Sequence, residues 1–214
     1  MSGKVKLPLR HPLIAVEGID GSGKNTQAHL LVDWFKTQGF AATYRDFPRY
    51  ENLTGKAIGG HLAKKWKASD DLFLDELVFQ ALMTVNRHEE IPEVLRLQEQ
   101  GPVVLDRYWA SGYAYGAANG LPTEWLKTIH ALLPEPDVCV LIDVPVESSW
   151  ERRPERRDRY ETQKDMLKKV QQHYYDLFEE RAAAGKQWTV INGLGTVDEV
   201  QARLRAVFPT FLVR

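Results

Sequence analysis

The sequence predicts an α/β fold in which a five-stranded parallel sheet is flanked by helices. Short apolar runs alternate along the chain with longer segments of helical periodicity, which is the pattern of strand–helix–strand units. The run VCVLIDV at 138–144 is apolar at almost every position, as is typical of a strand covered by helices on both sides. No linker rich in proline, glycine or serine divides the 214 residues, so we expect a single domain at 1–214.

The predicted strands are short runs of mainly apolar residues. They lie at 13–17 (LIAVE), 41–45 (AATYR), 103–106 (VVLD), 138–144 (VCVLIDV) and 188–192 (WTVIN). Because ligands of parallel α/β sheets bind beyond the carboxyl ends of the strands, we expect functional residues directly after these runs.

The predicted helices fill the intervals between the strands. Three are expected at 25–38 (ended by Gly39), 71–88 and 91–100 (ended by Gly101). A fourth begins after Pro122. Two more begin after Thr162 and Thr196, which are followed three residues later by Asp165 and Glu199, the spacing of a capping box.

Composition limits the possible partners of the chain. The formal net charge is −1, so no global field attracts nucleic acid or a membrane surface. No apolar stretch reaches the ~18 residues that a membrane span needs. The single cysteine, Cys139, lies in an apolar run and has no internal disulfide partner, which suits a reducing compartment. We expect a cytoplasmic protein that binds neither nucleic acid nor membranes.

A phosphate-binding loop follows the first predicted strand. Residues 18–24, GIDGSGK, fit the pattern G-x-x-x-x-G-K between a strand and a helix. In such a loop the backbone N–H groups and the helix N-terminus hold phosphate oxygens, and the lysine reaches the outer phosphates. This predicts a nucleoside triphosphate ligand, bound by Gly18, Gly21, Ser22, Gly23, Lys24, Asn25 and Thr26.

The residue after the lysine departs from the pattern. Asn25 stands where Ser or Thr normally ligates Mg²⁺, and an amide oxygen is also a hard donor that Mg²⁺ tolerates. Asn25 therefore ligates the metal directly, or binds it through water with Thr26 beside it, or impairs catalysis. We favour a working but altered metal shell. Asp106, at the end of the third strand, is a second candidate that holds Mg²⁺ through water or orients Arg107.

A carboxylate inside the phosphate loop needs a separate explanation. Asp20 would repel a phosphate unless it faces a donor such as a sugar hydroxyl. The alternative is a turn aspartate satisfied by neighbouring N–H groups.

Five segments, in this order, resemble thymidylate kinases of the nucleoside monophosphate kinase group: EGIDGSGKNTQ, FPRY, NRHE, LDRYWASGYAYG and an arginine-rich stretch ending in DRYE. The likeness runs from Ile14 to about Glu161, with a weaker match in VINGLGTVDEV. It implies a three-layer P-loop kinase fold with a lid at about 150–161. It also implies phosphorylation of dTMP by ATP with Mg²⁺, and a homodimer formed through helices such as 71–88.

The resemblance also implies how dTMP is held. Asp20 matches the aspartate that holds the 3′-hydroxyl, and Arg49 and Arg107 match arginines that grip the acceptor phosphate. Arg87 matches the arginine that hydrogen-bonds the pyrimidine. The remaining positions that match contacts to dTMP are Phe47, Ser111, Gly112, Tyr115 and Tyr160.

Two of these assignments stay open. Tyr115 would crowd a 2′-hydroxyl and so favour deoxyribose, or it packs in the core. Met83 stands where the family usually has a phenylalanine stacked on thymine. A thioether packs on a ring less rigidly, and Phe79, one helical turn earlier, is the alternative.

Catalysis of phosphoryl transfer needs positive charge at the transferring group. Lys24 and Arg107 are candidates, together with Arg153, Arg156 and Arg157 of the segment at 151–161, ERRPERRDRYE. Some thymidylate kinases carry a basic residue inside the phosphate loop, whereas others have glycine there and supply arginines from a lid. Gly21 indicates the second sort. A solvated helix face is the alternative for this segment.

Rival functions remain at this stage. A deoxynucleoside kinase needs a general base for a neutral 5′-hydroxyl, and Asp46 or Glu51 could provide it. A broader deoxynucleoside monophosphate kinase is also consistent with Met83. A non-catalytic nucleotide-binding protein would follow if Asn25 abolished metal binding.

Overall fold

The computed structural model describes residues 10–152 and 164–208, which form five strands and eight helices. The strands are β1 (Leu13–Glu17), β2 (Thr43–Asp46), β3 (Val103–Asp106), β4 (Val138–Asp143) and β5 (Trp188–Asn192). The helices are α1 (Lys24–Thr37), α2 (Leu53–Leu62), α3 (Leu72–Gln98), α4 (Trp109–Ala118), α5 (Thr123–His130), α6 (Val146–Arg152), α7 (Lys164–Ala183) and α8 (Val197–Ala206).

All strands pair in parallel in the order β2-β3-β1-β4-β5. The predicted fold class is therefore confirmed. The chain leaves β1 on one side to form β2 and β3, and then crosses to the other side for β4. This reversal beside β1 creates a crevice at the carboxyl ends of the strands, where ligands of such sheets bind.

The alternation of side chains along β1 explains the three layers. Leu13 and Ala15 pack into a core on the face covered by α3, α4 and α7. Ile14 and Val16 pack into a second core beneath α1 and α8. Successive side chains of a strand point to opposite faces, so a strand buried on both faces is apolar at most positions, as β1 is from Leu13 to Val16.

One helix prediction is wrong. The segments 71–88 and 91–100 form the single helix α3, which continues through Pro92. Proline removes one N–H from the helix ladder, but its exposed position avoids a steric conflict with the core. Phe79, Val94 and Leu97 are buried in the same apolar core, and this packing holds both halves of the helix together.

Helices α2, α4 and α6 were not predicted. Helix α4 has the sequence WASGYAYGAA, in which two glycines lower the helix propensity. A β-carbon at Gly116 would lie 2.7 Å from a methyl group of Leu126, so close packing against α5 requires the glycine. The predicted capping box of Thr196 and Glu199 is confirmed, whereas Thr162 lies outside the described residues. Within 10–152 and 164–208, no helix is long and apolar enough to cross a membrane.

Candidate active site

A cavity of about 320 Å³ lies at the carboxyl ends of β1, β2 and β3. It brings together residues from the phosphate loop, from β2, from α3 and from the β3–α4 junction. Ten predicted site residues line it: Asp20, Lys24, Asn25, Phe47, Met83, Asp106, Arg107, Ser111, Gly112 and Tyr115.

The phosphate loop joins β1 to α1 as predicted. Gly21 and Gly23 have φ angles of 79° and 89°, which glycine adopts without steric cost. A β-carbon at Gly21 would lie only 2.7 Å from the carbonyl oxygen of Ser149. The loop therefore has no room for a side chain at position 21. Helix α1 begins directly after the loop, at Lys24.

Lys24 lies folded over this loop. Its Nζ is 3.4 Å from the carbonyl oxygen of Ile19 and 3.5 Å from Oδ1 of Asp20. Burial, and then the charge of Arg107, lower the pKa of Lys24. The lysine is held at the mouth of the loop, where it can meet the outer phosphates of a nucleotide.

Asp20 forms hydrogen bonds across the cavity with Arg107 and Tyr115, which follow β3. Nη2 of Arg107 donates to Asp20 Oδ1 at 2.6 Å, and the Tyr115 hydroxyl donates to Oδ2 at 3.0 Å. Burial would raise the pKa of Asp20, but the charges of Arg107 and Lys24 outweigh it and lower the pKa below its usual range. Of the two explanations for Asp20, the structure therefore favours a carboxylate facing donors across the cavity.

Arg107 has a left-handed backbone, with φ of 64°. Its N–H still bonds the carbonyl of Val16, at 3.0 Å, so it extends the β1–β3 pairing by one step. Nη1 donates to Ser111 Oγ at 3.0 Å, and the guanidinium carbon lies 5.4 Å from the centre of the Tyr115 ring. The turn at Arg107 thus directs the guanidinium into the cavity.

Glu17, which the sequence reasoning missed, supports the site from behind the cavity lining. It is fully buried and accepts bonds from Tyr108 N (2.8 Å), Ser111 Oγ (2.6 Å) and the Tyr174 hydroxyl (3.2 Å). Burial raises its pKa, while the donors and Arg107 act against that rise. Glu17 fixes the start of α4 to the end of β1. A charged residue ending an otherwise apolar strand, LIAVE, was the available signal.

Arg87 lies behind the cavity in α3. It is 1% exposed, and none of its three guanidinium nitrogens has a hydrogen-bond partner among the described residues. A β-carbon at Gly112 would lie 3.0 Å from Arg87 Nη1, so the guanidinium lies directly against this residue of the cavity lining. Burial lowers the pKa of Arg87 to about 10, and the group stays charged at neutral pH.

The wall that would receive a base is apolar. Met83, Phe79 and Phe47 all line the cavity. One face of Phe79 is already covered, because His61 stacks on it with a centroid distance of 4.5 Å. Both candidates for the usual stacking phenylalanine therefore reach the cavity.

Arg49 is placed differently from the other predicted residues. Its guanidinium contacts three carboxylates, those of Asp46 (2.6 Å), Glu51 (3.3 Å) and Glu90 (3.8 Å). It does not line the cavity in this structure. Contact with an acceptor phosphate would require Arg49 to exchange some of these carboxylate partners.

Asn25 and Asp106 meet at the edge of the phosphate loop. Asn25 Nδ2 donates to Asp106 Oδ2 at 3.1 Å. Asp106 Oδ1 is buried and has no hydrogen-bond partner among the described residues. A buried carboxylate oxygen of this kind and a nearby amide oxygen fit the preference of Mg²⁺ for hard oxygen ligands. Thr26, the other candidate, is exposed and does not line the cavity.

Helix α6 follows β4, lies against the phosphate loop and ends within the predicted lid at about 150–161. The Ser149 hydroxyl donates to the carbonyl oxygen of Asp20, and Arg152 Nη1 lies 3.5 Å from the carbonyl oxygen of Gly21. Arg152, the last described residue before 153, thus lies beside the loop. Arg153, Arg156, Arg157 and Tyr160 lie outside the described residues.

A glycine-rich phosphate loop, a lysine at its mouth and an arginine-lined cavity at the same sheet edge define a P-loop nucleotide kinase. A family model of thymidylate kinases matches residues 16–204. The chain belongs to the thymidylate kinase family.

Individual relatives span nearly the whole chain. A probable thymidylate kinase of Pyrococcus abyssi is 34% identical over 203 residues, covering 93% of this chain and 96% of the relative. The thymidylate kinase of Schizosaccharomyces pombe is 31% identical over 196 residues, covering 91% and 90%.

Solved structures agree with this assignment. The thymidylate kinase of Candida albicans superposes with a TM-score of 0.76 at 27% identity, covering 92% of this chain and 91% of that one. The enzyme of Ehrlichia chaffeensis, at 20% identity and a TM-score of 0.68, shares the fold.

His130 generates a pH prediction, because it is buried beside Arg87 and Thr84. Burial, and then Arg87, lower its pKa to about 3. Between pH ~6.5 and 3 the unfolded chain takes up a proton that the folded chain refuses, so stability falls as pH falls. From pH 7.5 to 5.0 this group should cost about 2 kcal/mol of unfolding free energy.

Urea unfolding of wild type and His130→Gln at pH 7.5 and at pH 5.0 measures this change in the free energy of unfolding. The wild-type loss should exceed that of His130→Gln by about the same amount. Equal pH dependence in wild type and His130→Gln would contradict the assignment.

Proposed function

We propose that the protein transfers the γ-phosphoryl group of ATP to dTMP, forming dTDP for dTTP synthesis. The observation that carries this proposal is that one cavity is lined both by Lys24 of the phosphate loop and by Arg107, and that Gly112, beside Arg87, is part of its wall. A donor nucleotide and an acceptor nucleotide can therefore meet with their phosphates between Lys24 and Arg107. We treat residues 1–214 as one kinase domain whose lid spans about 150–161.

The ATP phosphates bind to the loop. The N–H groups of Gly18, Gly21, Ser22 and Gly23 and the N-terminus of α1, at Asn25 and Thr26, supply donors. Lys24 places its charge at the outer phosphates and follows the transferring group. Bound Mg²⁺, held by Asn25 and Asp106 directly or through water, would neutralise negative charge on the phosphates.

The dTMP phosphate binds to Arg107, with Arg49 as a second cation once it leaves its carboxylate partners. A guanidinium fork suits two phosphate oxygens. Asp20, which faces Arg107 and Tyr115, takes the 3′-hydroxyl, and Tyr115 limits space near C2′. Ser111, Gly112 and Phe47 complete the contacts, together with Tyr160.

The base binds against Met83 and is recognised by Arg87. A buried guanidinium without hydrogen-bond partners is energetically costly, and a pyrimidine carbonyl oxygen would supply an acceptor. Because the backbone of α6 leaves no room for a side chain at Gly21, the phosphate loop cannot carry a basic residue at that position. The lid arginines Arg153, Arg156 and Arg157 therefore stabilise charge on the transferring group. The enzyme works in the cytoplasm as a homodimer, without nucleic-acid or membrane partners.

A deoxynucleoside kinase remains the second candidate, since Asp46 lines the cavity and could serve as a base. Asp46 Oδ1 accepts a 2.6 Å bond from Arg49, and this pairing opposes a role in taking up a proton.

Steady-state turnover with ATP, Mg²⁺ and either dTMP or thymidine tests the proposal. We expect dTMP to be phosphorylated and thymidine to react at least 100-fold more slowly. Lys24→Met, a variant of similar side-chain length, is the control for contaminating kinase, and its turnover should be nearly abolished. Preferred thymidine turnover would establish the nucleoside kinase, and nucleotide binding without turnover would establish a non-catalytic protein.

A substitution at Arg87 should separate recognition from stability. Arg87→Met keeps side-chain length but removes the donors, so dTMP affinity should fall roughly ten- to hundred-fold. Because the guanidinium has no hydrogen bond to lose, the free protein should be as stable as wild type or more stable. Calorimetric dTMP titration and urea unfolding measure the two effects.

Unchanged dTMP affinity in Arg87→Met would remove Arg87 from the base site. A loss of about 3–5 kcal/mol in stability, as expected on breaking a buried ion pair, would instead mark it as structural.

A further inference from the structure

Tyr44, on β2, completes a ring of hydrogen bonds around Asn25. Asn25 Nδ2 donates to the Tyr44 hydroxyl at 2.9 Å and to Asp106 Oδ2 at 3.1 Å. The Tyr44 hydroxyl in turn donates to the same Asp106 oxygen at 3.1 Å. Both amide hydrogens of Asn25 and the single hydroxyl hydrogen of Tyr44 are therefore used.

This ring fixes which way the amide of Asn25 faces. The opposite orientation would place Oδ1 against the carboxylate of Asp106, and the Tyr44 hydrogen is already committed to that carboxylate. Asn25 Oδ1 takes no part in the ring, and Asn25 is exposed and lines the cavity. The amide oxygen is thus left open on the nucleotide side.

The Tyr44 ring is itself held in place. His29, one helical turn after Asn25 on α1, stacks on it with a centroid distance of 3.9 Å and an interplanar angle of 20°. Residues four apart lie on the same face of a helix, so the asparagine and the histidine contact the tyrosine together.

A threonine at position 25 would not need this arrangement. A hydroxyl oxygen donates one hydrogen to a carboxylate and presents its lone pairs to a metal from the same atom. An amide separates donor from acceptor, so its nitrogen must be occupied before its oxygen is reliably presented.

We propose that Tyr44 is a positioning residue of the divalent-cation site, which orients Asn25 so that its Oδ1 replaces the hydroxyl oxygen usual after the loop lysine. This inference rests on the proposed function only in assuming that a metal–nucleotide complex binds at the loop. It follows that the asparagine and the tyrosine act as a pair, and that the tyrosine hydroxyl loses its role when threonine replaces the asparagine.

A double-mutant cycle tests this coupling with four proteins: wild type, Tyr44→Phe, Asn25→Thr and the double variant. The readout is the affinity for Mn²⁺ in the presence of a non-hydrolysable ATP analogue, measured by electron paramagnetic resonance. In the asparagine background, Tyr44→Phe should weaken Mn²⁺ binding roughly five- to tenfold. In the Asn25→Thr background the same change should alter it less than twofold, and metal-free analogue binding should be unchanged throughout.

Tyr175→Phe is the matched control, because it removes another hydroxyl that donates to a carboxylate, that of Asp143 at 2.6 Å. It should leave Mn²⁺ affinity unchanged. Equal effects of Tyr44→Phe in both backgrounds, or none in wild type, would overturn the proposal. Wild-type Mn²⁺ binding without dTMP turnover would contradict the proposed function and leave this inference standing.

Discussion

The ion pair between Asp20 and Arg107 joins the two halves of the site. Asp20 belongs to the loop after β1, and Arg107 follows the neighbouring strand β3, so the 2.6 Å contact spans the crevice between them. Without Arg107, a partly buried carboxylate in an anion-binding loop would oppose phosphate binding. With it, the carboxylate is held ionised and the guanidinium is directed into the cavity. Ser111 accepts a hydrogen bond from Arg107 and donates one to Glu17, which holds the guanidinium in this position.

The fold was predictable because its signals are local. Strands buried on both faces are apolar at nearly every position, so LIAVE and VCVLIDV are recognisable as strands from their own residues alone. Prediction failed where packing outweighs local preference. The sequence predicted a break between the helices 71–88 and 91–100, yet α3 is continuous from Leu72 to Gln98 and its buried residues hold it together. The glycines of α4 lower helix propensity, yet Gly116 lets the buried side chain of Leu126 on α5 pack closely against α4.

The candidate site was predictable to the extent that its residues lie in contiguous motifs. The phosphate loop is read from seven consecutive residues, and the resemblance supplied Asp20, Arg87 and Arg107. Glu17 and Tyr44 were missed because their importance depends on partners far along the chain, at 108–111 and at 106. Arg49 was predicted to grip the acceptor phosphate, but Asp46 and Glu51 of its own motif, together with Glu90 of α3, contact its guanidinium in this structure. The lid arginines lie outside the described residues, and their role stays a prediction.

The most direct test of the Asp20–Arg107 account uses dTMP and its 3′-deoxy analogue. Calorimetric titration of both ligands into wild type and Asp20→Asn isolates the contact between the carboxylate and the 3′-hydroxyl. Wild type should prefer dTMP roughly ten- to hundredfold, as expected for a charge-assisted hydrogen bond, and Asp20→Asn should lose most of that preference. The same preference in both proteins would show that Asp20 does not face the acceptor sugar.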